Sequence, residues 1–101
     1  MAENKKNFNP NQKAVALSYH SDKDISPRVV AKGQGFVAKK ILEHGEMADV
    51  PVYEDEALTE ELTRLDLGEN IPPELYEVVA QVLAFIANLD RYEESKRNGK
   101  K

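Results

Sequence analysis

The two histidines, His20 and His44, are the first candidates for acid-base or metal chemistry. His20 lies in a polar stretch, and His44 falls on or near the face of a predicted helix. No His-x-x-x-His pair or carboxylate-rich spacing joins them, which argues against a metal site. The chain has no cysteine, so disulfides, thiolate chemistry and thiolate-bound zinc are excluded. We therefore predict no metal and no cofactor.

Two other patterns contain the residue types of a ligand site. The Gly-Gln-Gly sequence at 33–35 follows a predicted strand, but it lacks the third glycine of a dinucleotide fingerprint and the Gly-Lys-Ser/Thr of a P-loop. It is better interpreted as a tight strand-to-helix turn. The acidic residues within 54–61 lack the spacing of a calcium loop and suit helix capping. Residue types and spacing alone therefore indicate no enzyme.

The elements that must position these residues include three predicted strands. Large and small side chains alternate over residues 14–19, which predicts a strand with an alanine face, central in its sheet and covered by helices on both sides. β-branched residues predict a second strand at 28–32 and a short third at 51–53. A helix between the second and third strands would be a right-handed crossover joining parallel neighbours.

Apolar residues at helical spacing predict three helices. The first starts at about residue 34 or 36 and ends at 47 or 48, the second follows Asp55 as its cap, and the third opens at Pro72-Pro73 and ends near Tyr92. The predicted fold is an α/β domain in which a small mixed sheet of three to four strands, with strand 14–19 central, is flanked by three helices. The residues expected in the core are Val15, Leu17, Val29, Ile41, Leu62, Val79 and Leu83.

The length of the chain limits the number of domains, and its charge limits the class of partner. Its 101 residues allow one small domain, which we place at 9–92, between a flexible arm at 1–8 and a charged tail at 93–101. Residues 1–40 carry eight Lys/Arg against three Asp/Glu, and residues 41–101 carry six against fifteen, so their net charges are +5 and −9. The acidic balance argues against a nucleic-acid partner, and no apolar run is long enough to predict membrane insertion.

Five segments carry a recognisable pattern in one order. The Asn-Pro step at 9–10 precedes Ala-Val-Ala-Leu-Ser-Tyr at 14–19, and Pro-Arg-Val-Val-Ala-Lys-Gly follows at 27–33. Val-Pro-Val-Tyr-Glu-Asp stands at 50–55, and Ile-Pro-Pro-Glu-Leu-Tyr stands at 71–76. In this order and spacing the segments resemble the C-terminal cytoplasmic domain of the FlhB/YscU family, the export switch of flagellar and virulence type III secretion.

The resemblance covers roughly residues 9 to 90 and implies the fold of that domain. It also implies a cytoplasmic role in flagellar or type III protein export. Full-length members of the family carry a transmembrane half before this domain. This chain has no such half, so we expect a stand-alone relative of the domain.

The family's self-cleavage motif, Asn-Pro-Thr-His, is only half present. In the family, the Asn side-chain nitrogen attacks its own carbonyl carbon and expels the proline nitrogen, and the neighbouring Thr-His is thought to assist. Asn9 and Pro10 match this motif, but Asn11 and Gln12 stand in the Thr and His positions. Gln12 cannot act as a base, and Asn11 offers no hydroxyl. We therefore expect no catalytic residue, a retained turn at this degenerate motif, and a non-enzymatic protein.

The expected function is to bind export-apparatus proteins or export substrates in place of the C-terminal half of FlhB. Two alternatives stay open. One is a protein that still cleaves itself between Asn9 and Pro10, and the other is a domain recruited as an adaptor unrelated to export.

The expected binding surface is the sheet edge beside the N-terminal arm. In the family a strand precedes the Asn-Pro turn, whereas this chain supplies a polar arm, so part of the edge is expected to accept an incoming strand. Lys5, Lys6 and Lys13 would discourage self-pairing there and attract an acidic segment. The alternative surface is the acidic start of the second helix, at 54–61.

Overall fold

The computed structural model describes the backbone of residues 9–20 and 22–98, and the side chains up to residue 87. The predicted arm, with Lys5 and Lys6, lies outside the described residues. The chain forms two compact units that divide after Ile71.

The first unit is organised around an antiparallel strand pair. Strand β1 (Lys13–Ser18) pairs with strand β2 (Arg28–Gln34). The register shifts between Ala16 and Leu17, which leaves Val30 as an extra residue in β2. Val30 is 53% exposed, whereas Val29 beside it is fully buried. The predicted strands 14–19 and 28–32 are therefore confirmed, with a β-bulge where the two valines meet the partner strand.

The sheet contains two strands among the described residues, so the prediction of a mixed sheet of three to four strands with 14–19 central was wrong in that detail. The segment 51–53 forms no strand. The N–H of Val50 donates instead to Gly45 O at 2.8 Å, and Pro51 has no N–H to offer. Val50 and Val52 are both more than half exposed, so a strand here would gain few hydrogen bonds and little burial.

The outer edge of β2 is partly covered by residues 68–71. The N–H of Val29 donates to Glu69 O at 3.0 Å, and Gly68 N–H donates to Val29 O at 2.7 Å. Arg28 and Asn70 form an isolated antiparallel bridge. This short segment, which the sequence did not mark as a strand, takes the place of a third strand beside β2.

Two helices pack on the strands of the first unit. Helix α1 (Phe36–Met47) contacts both strands, and helix α2 (Glu56–Thr63) contacts mainly β1. Asp55 caps α2 as predicted, since its Oδ1 accepts the Leu58 N–H at 3.1 Å.

The second unit is helical. A single 3-10 turn (Pro73–Leu75) leads into helix α3 (Tyr76–Asn98), which extends past the predicted end of the domain at Tyr92. Val79 on this helix is 2% exposed. Across residues 9–20 and 22–98, no helix combines the length and the apolar character needed to cross a membrane.

The core is smaller than predicted and contains more alanine. Of the predicted core residues, Val29, Leu62 and Val79 are buried, whereas the other four are only partly buried. Ala14 and Ala38 are both buried, because small side chains let a helix lie close to a strand. Among the residues whose side chains are described, the buried apolar ones are Ala14, Val29, Ala38, Leu62 and Ile71 in the first unit and Val79 in the second.

Candidate functional site

The Asn-Pro step forms a tight turn immediately before β1. Gln12 N–H donates to Asn9 O at 3.1 Å, which closes a four-residue turn. Asn11 N–H donates to Asn9 Oδ1 at 2.9 Å, so the asparagine side chain braces the same turn. Asparagine at the first position and proline at the second are the residue types that this geometry favours. The sequence therefore specifies the turn locally.

The turn is hydrogen-bonded to Gly35, which lies at the junction between β2 and α1. Gly35 N–H donates to Gln12 O at 2.7 Å, and Gln34 Nε2 donates to Pro10 O at 3.4 Å. Gly35 has φ +62, and a Cβ there would lie 3.0 Å from Pro10 O. Glycine is required both by this backbone conformation and by the close approach of the turn.

Gly33, near the end of β2, allows α1 to pack closely against the strand at the same junction. A Cβ built on Gly33 would lie 2.7 Å from Val37 Cβ, a distance that real side chains do not adopt. The expected strand-to-helix turn is therefore present at Gly35, whereas Gly33 and Gln34 are the last two residues of β2. Gly35 and Gln34 also support the Asn-Pro turn, which the sequence did not indicate.

The groups beside the Asn9–Pro10 bond are amides. Asn11 is exposed and Gln12 is half-buried, and neither side chain can take up or deliver a proton near neutral pH. His20 follows the far end of β1, which spans about 20 Å. The bond is therefore held in a well-defined turn, but the described residues next to it in sequence supply no general base.

Lys13, the first residue of β1, forms an ion pair with α2. Its Nζ lies 2.7 Å from Glu60 Oε1, and the two side chains are 29% and 50% exposed. The hydrogen bond from Lys13, then its charge and to a lesser degree that of Arg64, lower the pKa of the Glu60 carboxyl. The predicted binding residue Lys13 and the predicted alternative surface at 54–61 are therefore in direct contact.

Lys32 on β2 binds the other end of α2. Its Nζ donates to Thr63 O at 3.1 Å and to Leu65 O at 2.6 Å. These carbonyls lie at the C-terminus of the helix, where a cation is favourable and free acceptors need donors. With Lys13 and Gln34, Lys32 and Thr63 line a surface depression between β1, β2 and α2.

The structure thus brings Asn9, Pro10, Asn11 and Gln12 together on the strand-to-helix junction. It places Lys13 one residue beyond that turn. Lys5 and Lys6 lie outside the described residues. The sequence did not indicate Glu60 and Lys32 as partners in this region, because each bonds to a residue more than 30 positions away and no local pattern reports such a contact.

Within residues 9–20 and 22–98, no group of three His, Cys, Asp or Glu side chains could hold a metal ion.

Comparison with known proteins gives consistent matches. The model of the FlhB HrpN YscU SpaS family matches residues 8–86. The protein YlqH of Bacillus subtilis is 43% identical over 88 residues, covering 87% of this chain and 95% of that protein. The flagellar biosynthetic protein FlhB of Escherichia coli is 44% identical over 85 residues, covering 83% of this chain and 22% of that protein. The chain thus spans about a fifth of the length of this FlhB relative.

The fold has solved counterparts. The crystal structure of the cytoplasmic domain of FlhB from Shewanella putrefaciens superposes with a TM-score of 0.79 at 32% identity, covering 82% of this chain and 65% of that chain. The sequence match extends over both units, and the α/β architecture agrees with it. The chain belongs to the FlhB HrpN YscU SpaS family, which is linked to flagellar and type III protein export.

Proposed function

We propose that this domain binds components or substrates of the flagellar or type III export apparatus in the cytoplasm, in place of the corresponding C-terminal half of FlhB, and does not cleave itself. The observation that carries the proposal is the state of the Asn9–Pro10 turn. The Gly35 N–H donates to Gln12 O and so holds the turn at the strand-to-helix junction, and the side chains that follow Pro10 are amides. The architecture that presents a binding surface is kept, and the groups that would assist cleavage are replaced.

Cleavage would require one bond to form and one to break at Asn9. The Nδ2 atom of Asn9 would bond to its own carbonyl carbon, the bond from that carbon to Pro10 N would break, and a proton would pass from Nδ2 to the proline nitrogen. General acid-base assistance contributes about 10²–10⁴-fold to such steps, and the amides of Asn11 and Gln12 supply none. The hydrogen bond from Asn11 N–H to Asn9 Oδ1 further holds the side chain in the turn.

Intact-mass spectrometry tests the absence of cleavage. The purified chain, incubated at neutral pH for several days, should keep its mass of 11.4 kDa. The matched reference is Asn9→Ala, which lacks the attacking nitrogen and must stay whole under any mechanism. A fragment that begins at Pro10 in the wild type and is missing from Asn9→Ala would establish the self-cleaving alternative.

Competition with FlhB tests the binding role. Export proteins that bind the cytoplasmic domain of FlhB from the same organism should also bind this chain, and adding the purified chain should displace them from immobilised FlhB. Displacement is expected because the two domains share one architecture. If the chain binds no protein that FlhB binds, the role as an adaptor unrelated to export becomes the better explanation.

A further inference from the structure

The connection between α1 and α2 exposes several large apolar side chains close together. Met47 is 82% exposed, Val50 52%, Val52 58% and Tyr53 42%. Scattered exposed apolar residues are normal, but here four of them lie within seven positions of the sequence. Such stretches on a small domain mark surfaces that bind other proteins.

Two backbone N–H groups of this connection, those of Val52 and Glu54, are available to a partner strand. Val50 precedes Pro51, which disfavours helical geometry, and Asp55 at the far end is extended, with φ −158 and ψ 102. Val52 and Glu54 donate no backbone hydrogen bond to any described backbone group. In an extended chain, residues two apart present their N–H and C=O groups to the same side, so Val52 and Glu54 define one edge.

Unpaired negative charge lies on both sides of the apolar stretch. Between Lys40 and Arg64 the chain has eight Asp/Glu and no Lys or Arg. Some of these carboxylates are engaged, as ion-pair partners of lysine or arginine or as the cap of α2. Those that are exposed and form no ion pair with any described residue are Glu46, Asp49, Glu54 and Glu56.

We propose that residues 46–56, hereafter the acidic connection, bind an extended peptide segment that carries Lys or Arg beside alternating apolar residues. The segment adds as a strand along the edge formed by Val52 and Glu54, and its cations face the unpaired carboxylates. The acidic charge excludes an acidic partner here. This assignment rests on the proposed export-binding function and names its surface and the chemistry of its partner.

The acidic connection differs from the edge expected from Lys5, Lys6 and Lys13. Lys13 already forms a hydrogen-bonded ion pair with Glu60, so recruiting it for an acidic partner would break that contact. The carboxylates of the acidic connection are not engaged in this way. Among the described residues, charge complementarity therefore favours a basic partner at the acidic connection.

A synthetic peptide tests the surface directly. The probe is a capped peptide of about ten residues, the length of a long strand, that alternates valine with lysine. The two control peptides have glutamate in place of lysine, or proline at two central positions so that strand pairing is blocked. In NMR titrations of the full chain, the probe should shift amide signals of residues 46–56, and neither control should do so. Added salt should weaken the binding, because these charges are exposed.

Matched variants identify the residues that bind the probe. Val52→Ser should weaken binding at least about tenfold, whereas Val37→Ser should not, although Val37 on α1 is similarly exposed, at 52%. The double variant Glu54→Lys/Glu56→Lys should also lose binding, whereas Glu61→Lys, which removes the partner of Arg64, should keep it. Thermal melts must show that each variant is folded. Equal binding by Val52→Ser and wild type, or shifts confined to β1 and the Asn-Pro turn, would overturn the proposal.

The outcome can be separated from that of the proposed function. If Val52→Ser still displaces export proteins from FlhB as well as wild type does, export binding stands and the acidic connection is not its surface. If the probe binds as described but the chain competes for no export protein, the surface is established and its assignment to export fails.

Discussion

Lys13 Nζ lies 2.7 Å from Glu60 Oε1, so the residue that follows the Asn-Pro turn is joined to helix α2 across 47 positions of sequence. This contact links two regions that the sequence presents as rival binding surfaces, one basic and one acidic. A charge reversal at either residue would therefore disturb both regions, and variants meant to distinguish the surfaces must leave this pair intact.

The pH dependence of this ion pair can be measured. Because the pKa of Glu60 is lowered in the folded state, the pair adds stability above the unfolded pKa of the carboxyl, and that stability is lost as the pH falls through the folded pKa. Lys13→Met should raise the pKa of Glu60 in an NMR titration. The stability gap between wild type and this variant should be larger at pH 7 than in acid, and it should shrink with salt.

Arg64→Met is the control for the ion pair. Arg64 lowers the pKa of Glu60 less than Lys13 does, so this variant should raise that pKa by a smaller amount. Equal shifts in the two variants would contradict the specific hydrogen bond between Lys13 and Glu60.

Lys32 should contribute more to stability than an ordinary surface lysine. Its Nζ donates to Thr63 O and Leu65 O in a partly buried position, so Lys32→Met leaves two carbonyls without this donor. We expect urea denaturation to show a loss of about 1–3 kcal/mol. Lys39→Met removes only a 4.0 Å surface contact with Glu43 and should cost about 0–1 kcal/mol. Similar losses in both variants would show that Lys32 does not support the end of α2.

The sequence predicted the elements whose stabilising interactions are local. Alternating side chains identified β1, and Asp55 was identified as a helix cap because its side chain bonds to an amide three positions later. The third strand was mispredicted because its valines suggested a strand, whereas Pro51 has no N–H and the Val50 N–H already donates to Gly45 O, so the start of the segment has no free N–H for a strand within the domain. The Asn-Pro turn of the candidate site is local and was expected, but the contacts that join it to Gly35, and those that join Lys13 and Lys32 to α2, link residues far apart in sequence, so no local pattern could predict them.

Ser26 offers a test in which a substitution should stabilise the domain. Its side chain is buried, and its Oγ has no hydrogen-bond partner among the described residues. A buried polar group without a partner costs about 1–3 kcal/mol, and Ser26→Ala removes it with little change in volume. We expect an increase in unfolding free energy of about 1 kcal/mol. Ser18→Ala, on the partly exposed end of β1, is the control and should change it little. A destabilised Ser26→Ala would indicate that the hydroxyl is bonded in solution.

The last prediction concerns Gly35, the glycine that is hydrogen-bonded to the Asn-Pro turn. Gly35 and Gly68 both have positive φ, +62 and +85, so alanine is strained at either position. A Cβ at Gly68 meets nothing within 4 Å, and Gly68→Ala should cost only the backbone strain, about 1–2 kcal/mol. A Cβ at Gly35 would lie 3.0 Å from Pro10 O, so Gly35→Ala should cost more and should displace the turn.

Hydrogen exchange distinguishes displacement of the turn from general destabilisation. The Gln12 amide donates to Asn9 O within the turn, and Gln12 O accepts the Gly35 N–H. Gly35→Ala should speed exchange of the Gln12 amide relative to the amides of β1. The substitution disturbs the contact between the turn and residue 35, whereas the hydrogen bonds between β1 and β2 remain. Gly68→Ala should leave that ratio unchanged, because a Cβ at Gly68 meets nothing within 4 Å and so cannot push against the turn. An unchanged ratio in Gly35→Ala would show that the turn holds its geometry through its own two hydrogen bonds, without support from the strand-to-helix junction.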